Sequence, residues 1–311
     1  MSWRICVGSI LIAILTSTPA CSETGSPGDS RPAVDVELVI AVDISYSMEM
    51  EDLVAQREGF ATAIVSQEFL EALRAGPMGK IALTYIEWSA ANDQKIVVPW
   101  RQIDGPEAAN AVATELMQAP ILRGSRTSIS GAIKFAVPLF KQSPYRGARQ
   151  IIDVSGDGPN NVGDPVTTAR DAALQSGIII TGLPVLINAT PSGTTDINHI
   201  DHIDWYYEDC VIGGPGSFVV PITDRQNFKE AIRTKLALEV AGLTPRQSPA
   251  PAVEEKPRVL CSIGEKLWQQ RWGTVGPAIT ATKSPALNAS SPPNKEDVLL
   301  NMKIKGICRG C

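Results

Sequence analysis

Histidine is nearly absent from this chain of 311 residues, with only His199 and His202, three apart in one acidic stretch. A serine hydrolase would have to recruit one of them as its base, and no Gly-x-Ser-x-Gly elbow surrounds Ser45 or Ser47, the serines that matter below. Aromatic residues make up 5%, and no basic stripe interleaved with them is present. With 28 Lys and Arg against 33 Asp and Glu, a net charge of −5 argues against nucleic acid as a partner. Beyond the first twenty residues no apolar run reaches the roughly 18 to 20 residues that a membrane-spanning helix needs. What is present, 44% hydrophobic and 20% charged residues, is ordinary globular composition with room for one main domain of about 200 residues and its extensions.

The first twenty residues carry one positive charge at Arg4, an apolar stretch from Val7 to Leu15, and small residues at Thr18 and Ala20. They read as a signal peptide, residues 1–20, cleaved near Ala20. Cys21 follows the cut and offers a place for a lipid tether, although Thr18-Pro19-Ala20 is a poor lipoprotein box. Without Cys6 and Cys21 the cysteines are Cys210, Cys261, Cys308 and Cys311, an even set suited to an oxidising compartment. Their pairing is not readable from the sequence. The mature protein is expected to be exported, periplasmic or secreted, with Cys21 as the position of any membrane anchor.

After a Ser/Gly/Pro-rich linker at 21–33, residues 34–242 alternate strand and helix patterns. An apolar β-branched run at 38–42 is a buried strand, followed by a helical pattern on Leu53, Phe60 and Ile64. Residues 80–88 and 95–100 read as strands joined by an Asn92-Asp93 turn, hence antiparallel. A helix at 106–118, a polar loop at 123–131 opening a second helix, a strand at 149–155, a helix at 165–176 and a strand at 178–185 follow. Pro138 predicts a kink or an end to the second of these helices. Residues 196–208 read as partly helical and 217–221 as a short strand. Phe228, Ile232, Leu236 and Val240, four apart, mark a last helix that stops at Gly242. This order predicts an α/β fold: a doubly wound, mostly parallel sheet with one antiparallel edge strand. Residues 243–257 are a Pro-rich linker, and the Cys-containing tail at 258–311 is expected to hold little stable structure unless disulfides or a partner supply it.

Two of the buried strands end in an acid. The first stops at Asp43, within Asp43-Ile44-Ser45-Tyr46-Ser47, and the fourth runs into Gly156-Asp157-Gly158. Asp-x-Ser-x-Ser sets one carboxylate and two hydroxyls on one turn, hard oxygens that suit magnesium, calcium or manganese. The same residues also serve ordinary caps and turns, and Thr127 or Ser128 would cap the following helix equally well. If the first and fourth strands are neighbours, Asp43, Ser45, Ser47, Thr127 and Asp157 converge at the carboxyl edge of the sheet. His199-Ile200-Asp201-His202 could hold a transition metal but reads more simply as surface. Asn188-Ala189-Thr190 and Asn288-Ala289-Ser290 match the glycosylation pattern without further support.

An Asp-x-Ser-x-Ser turn, a loop Thr and an Asp at the end of the fourth strand resemble the metal-ion-dependent adhesion site of the von Willebrand factor A domain. Gln56-Arg57-Glu58-Gly59, Tyr85-Ile86-Glu87-Trp88, Val98-Pro99-Trp100, Ser155-Gly156-Asp157-Gly158-Pro159-Asn160-Asn161 and Val211-Ile212-Gly213-Gly214-Pro215-Gly216 more narrowly resemble an uncharacterised bacterial family of exported proteins with this fold. The resemblance implies that Ser45, Ser47 and Thr127 bind Mg2+, or Mn2+ or Ca2+, through hydroxyl oxygens. Asp43 and Asp157 would bind it directly or through water, and one coordination position would stay open for a carboxylate on a protein partner. A protein-binding module rather than an enzyme is implied. Ser-Gly-Asp-Gly here replaces the Thr-Asp-Gly usual at the fourth strand. The enzymatic alternative, a metal-dependent phosphohydrolase with Asp43 as nucleophile, would want a second acid where Ser45 stands.

Overall fold

The computed structural model describes residues 29–187, 200, 202–245 and 259–273. The signal peptide, Cys21, His199, Asp201, Cys308, Cys311 and both glycosylation patterns lie outside them. The sheet is built from β1 (Ala33–Asp43), β2 (Ile81–Trp88), β3 (Gln94–Ile103), β4 (Arg146–Gly156) and β5 (Ile179–Pro184), in the order β3-β2-β1-β4-β5. All neighbours are parallel except β2 and β3, the short-turn pair that the sequence makes antiparallel.

β1 is central and its alternation explains both layers of the molecule. Val36, Leu38, Ile40 and Val42 face one apolar cluster while Val39 and Ala41 face another. The first cluster is closed by α1 (Met50–Ile64), α2 (Gln67–Ala75), α3 (Pro106–Gln118) and α7 (Phe228–Ala241). The second is closed by α4 (Ile129–Gln142), α5 (Val166–Gln175) and the short α6 (Ile203–Tyr206), which runs into a π-helical turn at Tyr207–Val211. Each large side chain buried there, Phe60 or Ile232 for example, contributes about 1.5–3 kcal/mol.

Several elements depart from the sequence reading. The helical pattern after β1 is two helices, because the Ser66 hydroxyl accepts from Phe69 N at 3.2 Å and starts α2 afresh. α4 continues four residues past Pro138, where burial of Leu139 and Phe140 outweighs one lost backbone bond. The 217–221 segment forms an isolated bridge, Gly182 with Val219, followed by a second between Val185 and Ile222, since Pro221 has no N–H to extend a ladder. At the opposite edge, β3 carries Pro99, and its register with β2 slips on both sides of Tyr85, where the Thr84 hydroxyl donates to Val98 O at 2.8 Å.

In the tail a disulfide supplies the structure that the apolar pattern does not. The tail's described part, 259–273, contains α8 (Ile263–Trp272), joined to the turn after α6 by a Cys210–Cys261 disulfide. Val259, Cys261, Ile263 and Leu267 pack on the second apolar cluster. Contacts of the domain therefore run past residues 242 and 257, because the disulfide supplies the anchor that the tail's weak apolar pattern lacks.

Candidate metal centre

β1 and β4 are hydrogen-bonded neighbours with Val42 opposite Ser155, so Asp43 and Asp157 leave the sheet side by side. Strand order reverses at this point, the place where doubly wound sheets bind ligands. Asp43 Oδ1 accepts the Ser45 N–H at 2.7 Å, the Ser45 and Ser47 hydroxyls are 2.8 Å apart, and Ser47 Oγ donates to Asp157 Oδ1 at 2.7 Å. Four of the five expected residues thus form one hydrogen-bonded chain from the first strand to the fourth. Asp43, Ser45 and Asp157 are buried and Ser47 is half-buried, which makes Ser47 the side from which solvent reaches the chain.

Thr127 makes no hydrogen bond to those four; its loop is held in place by its backbone. Gly124 bridges to Ser45 and its N–H meets Ile44 O at 2.8 Å, while Thr127 N donates to Asn161 Oδ1 at 3.0 Å and Thr127 O accepts from Asn161 N at 2.8 Å. Ser128, not Thr127, caps α4, with its hydroxyl accepting from Gly131 N at 3.1 Å. The Thr127 hydroxyl is therefore not consumed as a cap. Next to it Arg126 sits at φ 73, a left-handed conformation that costs a non-glycine residue about 1–2 kcal/mol. Its guanidinium holds Asn161 through Nε to Oδ1 (3.3 Å) and Nη2 to the backbone oxygen (3.0 Å).

Burial pushes the Asp43 carboxyl well above the usual range, the charge of Asp157 adds to the push, and the Ser45 hydrogen bonds oppose it. Burial and the same two acids raise the Tyr207 phenol. Asp43 Oδ2 and the Tyr207 hydroxyl are buried and have no hydrogen-bond partner among the described residues. A Cβ on Gly156 would lie 2.9 Å from the first and 3.0 Å from the second, so only glycine leaves space beside them. Two carboxylates, one of them with an orphaned oxygen, and two hydroxyls form an all-oxygen donor set that fits a hard divalent cation. Among the described residues no group of three or more His, Cys, Asp or Glu side chains could hold a metal, so any cation here relies on the serine hydroxyls. His202 takes no part: its ring stacks on Trp205 at 3.8 Å.

Sequence reasoning missed the residues that brace this chain. Asn160 and Asn161 close the quoted motif that begins at Ser155, with no role assigned there, and each side chain crosses to the α4 loop, Asn160 Oδ1 accepting from Ser130 N at 2.9 Å. Gln56 donates to the Ser155 hydroxyl, and Arg57 forms a buried ion pair with Glu87. Gln56, Arg57 and Glu87 lie in the motifs quoted above, whose role in the fold is thereby explained; Tyr207 left no signal in the sequence.

A family model described as a protein of unknown function (DUF1194) matches residues 33–244. No curated protein matches the sequence. Among solved structures, proximal thread matrix protein 1 from the mussel byssus is similar over 68% of this chain and 49% of its own, at 12% identity and a TM-score of 0.50. The same protein with a zinc-occupied MIDAS motif gives 13% identity, the same coverages and the same TM-score. A von Willebrand factor type A protein from Catenulispora acidiphila covers 67% and 43% at 16% identity and a TM-score of 0.46. The chain spans about half the length of the mussel protein, and the likeness is one of fold: a five-stranded, mostly parallel sheet with one antiparallel edge strand.

Proposed function

This chain belongs to the DUF1194 family, and from that premise we propose that it is an exported, metal-dependent protein-binding module of the adhesion type. The observation that carries the reading is the continuous chain from Asp43 through Ser45 and Ser47 to Asp157, together with the second carboxyl oxygen of Asp43, buried and without a hydrogen-bond partner among the described residues. A bound Mg2+, Mn2+ or Ca2+ would supply an electrophilic centre for an acidic group on a protein partner. In this reading Asp43, Ser45, Ser47 and Asp157 hold the cation, with Thr127 as the fifth ligand from the α4 loop. The zinc-occupied MIDAS motif of the similar mussel structure supports the reading. Export is supported by the Cys210–Cys261 disulfide, a bond of oxidising compartments. Among the described residues no helix is long and apolar enough to cross a membrane.

The test is isothermal titration of the full mature chain with each of the three cations, beside Ser45→Ala and Asp157→Asn. Capture of envelope proteins on immobilised wild type, with and without chelator, reads the second half of the proposal. Saturable cation binding lost in both variants, and capture lost with chelator and in Ser45→Ala, are expected. Metal-dependent hydrolysis of a phosphomonoester that disappears in Asp43→Asn would instead establish the phosphohydrolase reading.

A further inference from the structure

α8 is seated directly on the two loops that carry Thr127 and Asp157. From its side, Glu265 Oε1 accepts from Asn160 Nδ2 at 2.7 Å, and the Trp268 ring lies under the Arg126 guanidinium, 3.5 Å from carbon to ring centre. Gly264 allows this approach, because a Cβ there would overlap the backbone carbonyl of Asn160. The fit is continued by Tyr206, whose hydroxyl accepts from Asn160 N at 3.2 Å and donates to Cys261 O at 3.4 Å, beside the disulfide. Asn160 thus has partners on three sides: α4 through Ser130, α6 through Tyr206 and α8 through Glu265. Arg126, held in a left-handed conformation, is pinned between Asn161 and Trp268.

We infer that α8, anchored by the Cys210–Cys261 disulfide, is a positioning clamp for the α4 loop and the loop after β4, so that the affinity of the Asp43–Asp157 centre for a divalent cation depends on α8 being seated. The affinity part rests on the metal reading proposed above; the clamp itself does not. The α8 residues act through Arg126 and Asn160, each one to three residues from Thr127 or Asp157. Outer residues that orient metal ligands typically change affinity by about 10–100-fold when removed.

The experiment uses the full mature chain as wild type, Gly264→Ala, Trp268→Ala and Trp268→Phe. Hydrogen exchange in chelator reads the amides of Thr127, Ser130 and Asn161, each of which donates within the braced loops. Isothermal titration with Mn2+ reads the affinity. Gly264→Ala and Trp268→Ala should speed exchange at those three amides while β1 and β4 stay protected, and should weaken Mn2+ binding at least about tenfold. Trp268→Phe, which keeps an aromatic face for Arg126, should recover most of both. Unchanged loop exchange in both Gly264→Ala and Trp268→Ala overturns the clamp, as does faster exchange with unchanged Mn2+ affinity for the coupling. If Gly264→Ala also exposes β1 and β4, Trp268→Ala decides alone. A wild type that binds no cation overturns the metal reading and the affinity claim with it, while the loop amides still judge the clamp.

Discussion

The Ser47 hydroxyl donates to Asp157 Oδ1 at 2.7 Å across 110 residues of sequence, closing the distance between the turn after β1 and the end of β4. This bond lets two buried acids sit at one edge of the sheet, although the Asp43 carboxyl is raised by burial and then by the charge of Asp157.

Replacing Asp157 by Asn removes that charge while leaving an oxygen for Ser47 to meet. Metal-free Asp157→Asn should therefore melt at or above metal-free wild type. A cation that binds only the folded site stabilises by about 2.7 kcal/mol at a hundredfold excess over Kd. For a domain of this size that is a rise of about 5–10 °C. Wild type should show it in millimolar magnesium or manganese and Asp157→Asn should not; equal shifts in thermal melts of the two would remove Asp157 from the site.

Arg57 and Glu87 pair deep in the first apolar cluster, where burial raises the Glu87 carboxyl against the pull of Arg57. Arg57 also donates to Leu116 O at 3.1 Å and Ala119 O at 2.8 Å, closing the end of α3. Arg57→Leu leaves a buried acid alone and should cost about 3–5 kcal/mol in urea denaturation. Glu87→Gln, which keeps Arg57 on the carbonyls of Leu116 and Ala119 and removes only its counter-ion, should cost clearly less; equal losses would show that the ion pair, and not the end of α3, sets the penalty.

Lys235 lies between two buried acids, 2.6 Å from Asp153 and paired also with Glu239. Burial, followed by the Asp153 charge, pushes Glu239 from 4.5 up to about 7. An acid whose folded value is raised binds more protons folded than unfolded, so its contribution to stability is full below about pH 4.5, declines toward pH 7 and is gone above it. Urea midpoints between pH 5 and 7.5 should fall more steeply for wild type than for Glu239→Gln. Parallel profiles would mean that Glu239 stays ionised throughout the window.

The acids of the cradle are legible in sequence because each follows a β-branched run, a signal shared with ordinary caps and turns until the neighbouring strands bring the two acids together. The stripe Phe228, Ile232, Leu236 and Val240 is legible from local pattern as well, and all four are buried. Lys235 and Glu239 on that helix belong to the solvent face by pattern, yet both are buried: Lys235 pairs with Glu239 and with Asp153, an acid supplied by a strand far away in the chain. Likewise α8 carries too weak an apolar pattern to announce a packed helix, and its seat depends on a cysteine pairing that four candidates leave undecided. Local pattern reveals what a segment buries, whereas long-range polar partners show only once the chain is folded.

The two borders of the sheet are finished differently from its interior. Along β5 the chain lays Gly213, Val219 and Ile222 as single bridges, and along β3 Pro99 removes a donor beside a slipped register. Among the described residues, an extended segment of a second molecule meets a border already occupied by bridges on one side and a strand interrupted by Pro99 on the other, which weakens the template for cross-β growth that an exposed straight strand offers. Both borders are thereby less inviting to the edge of a second copy than a long, straight strand would be.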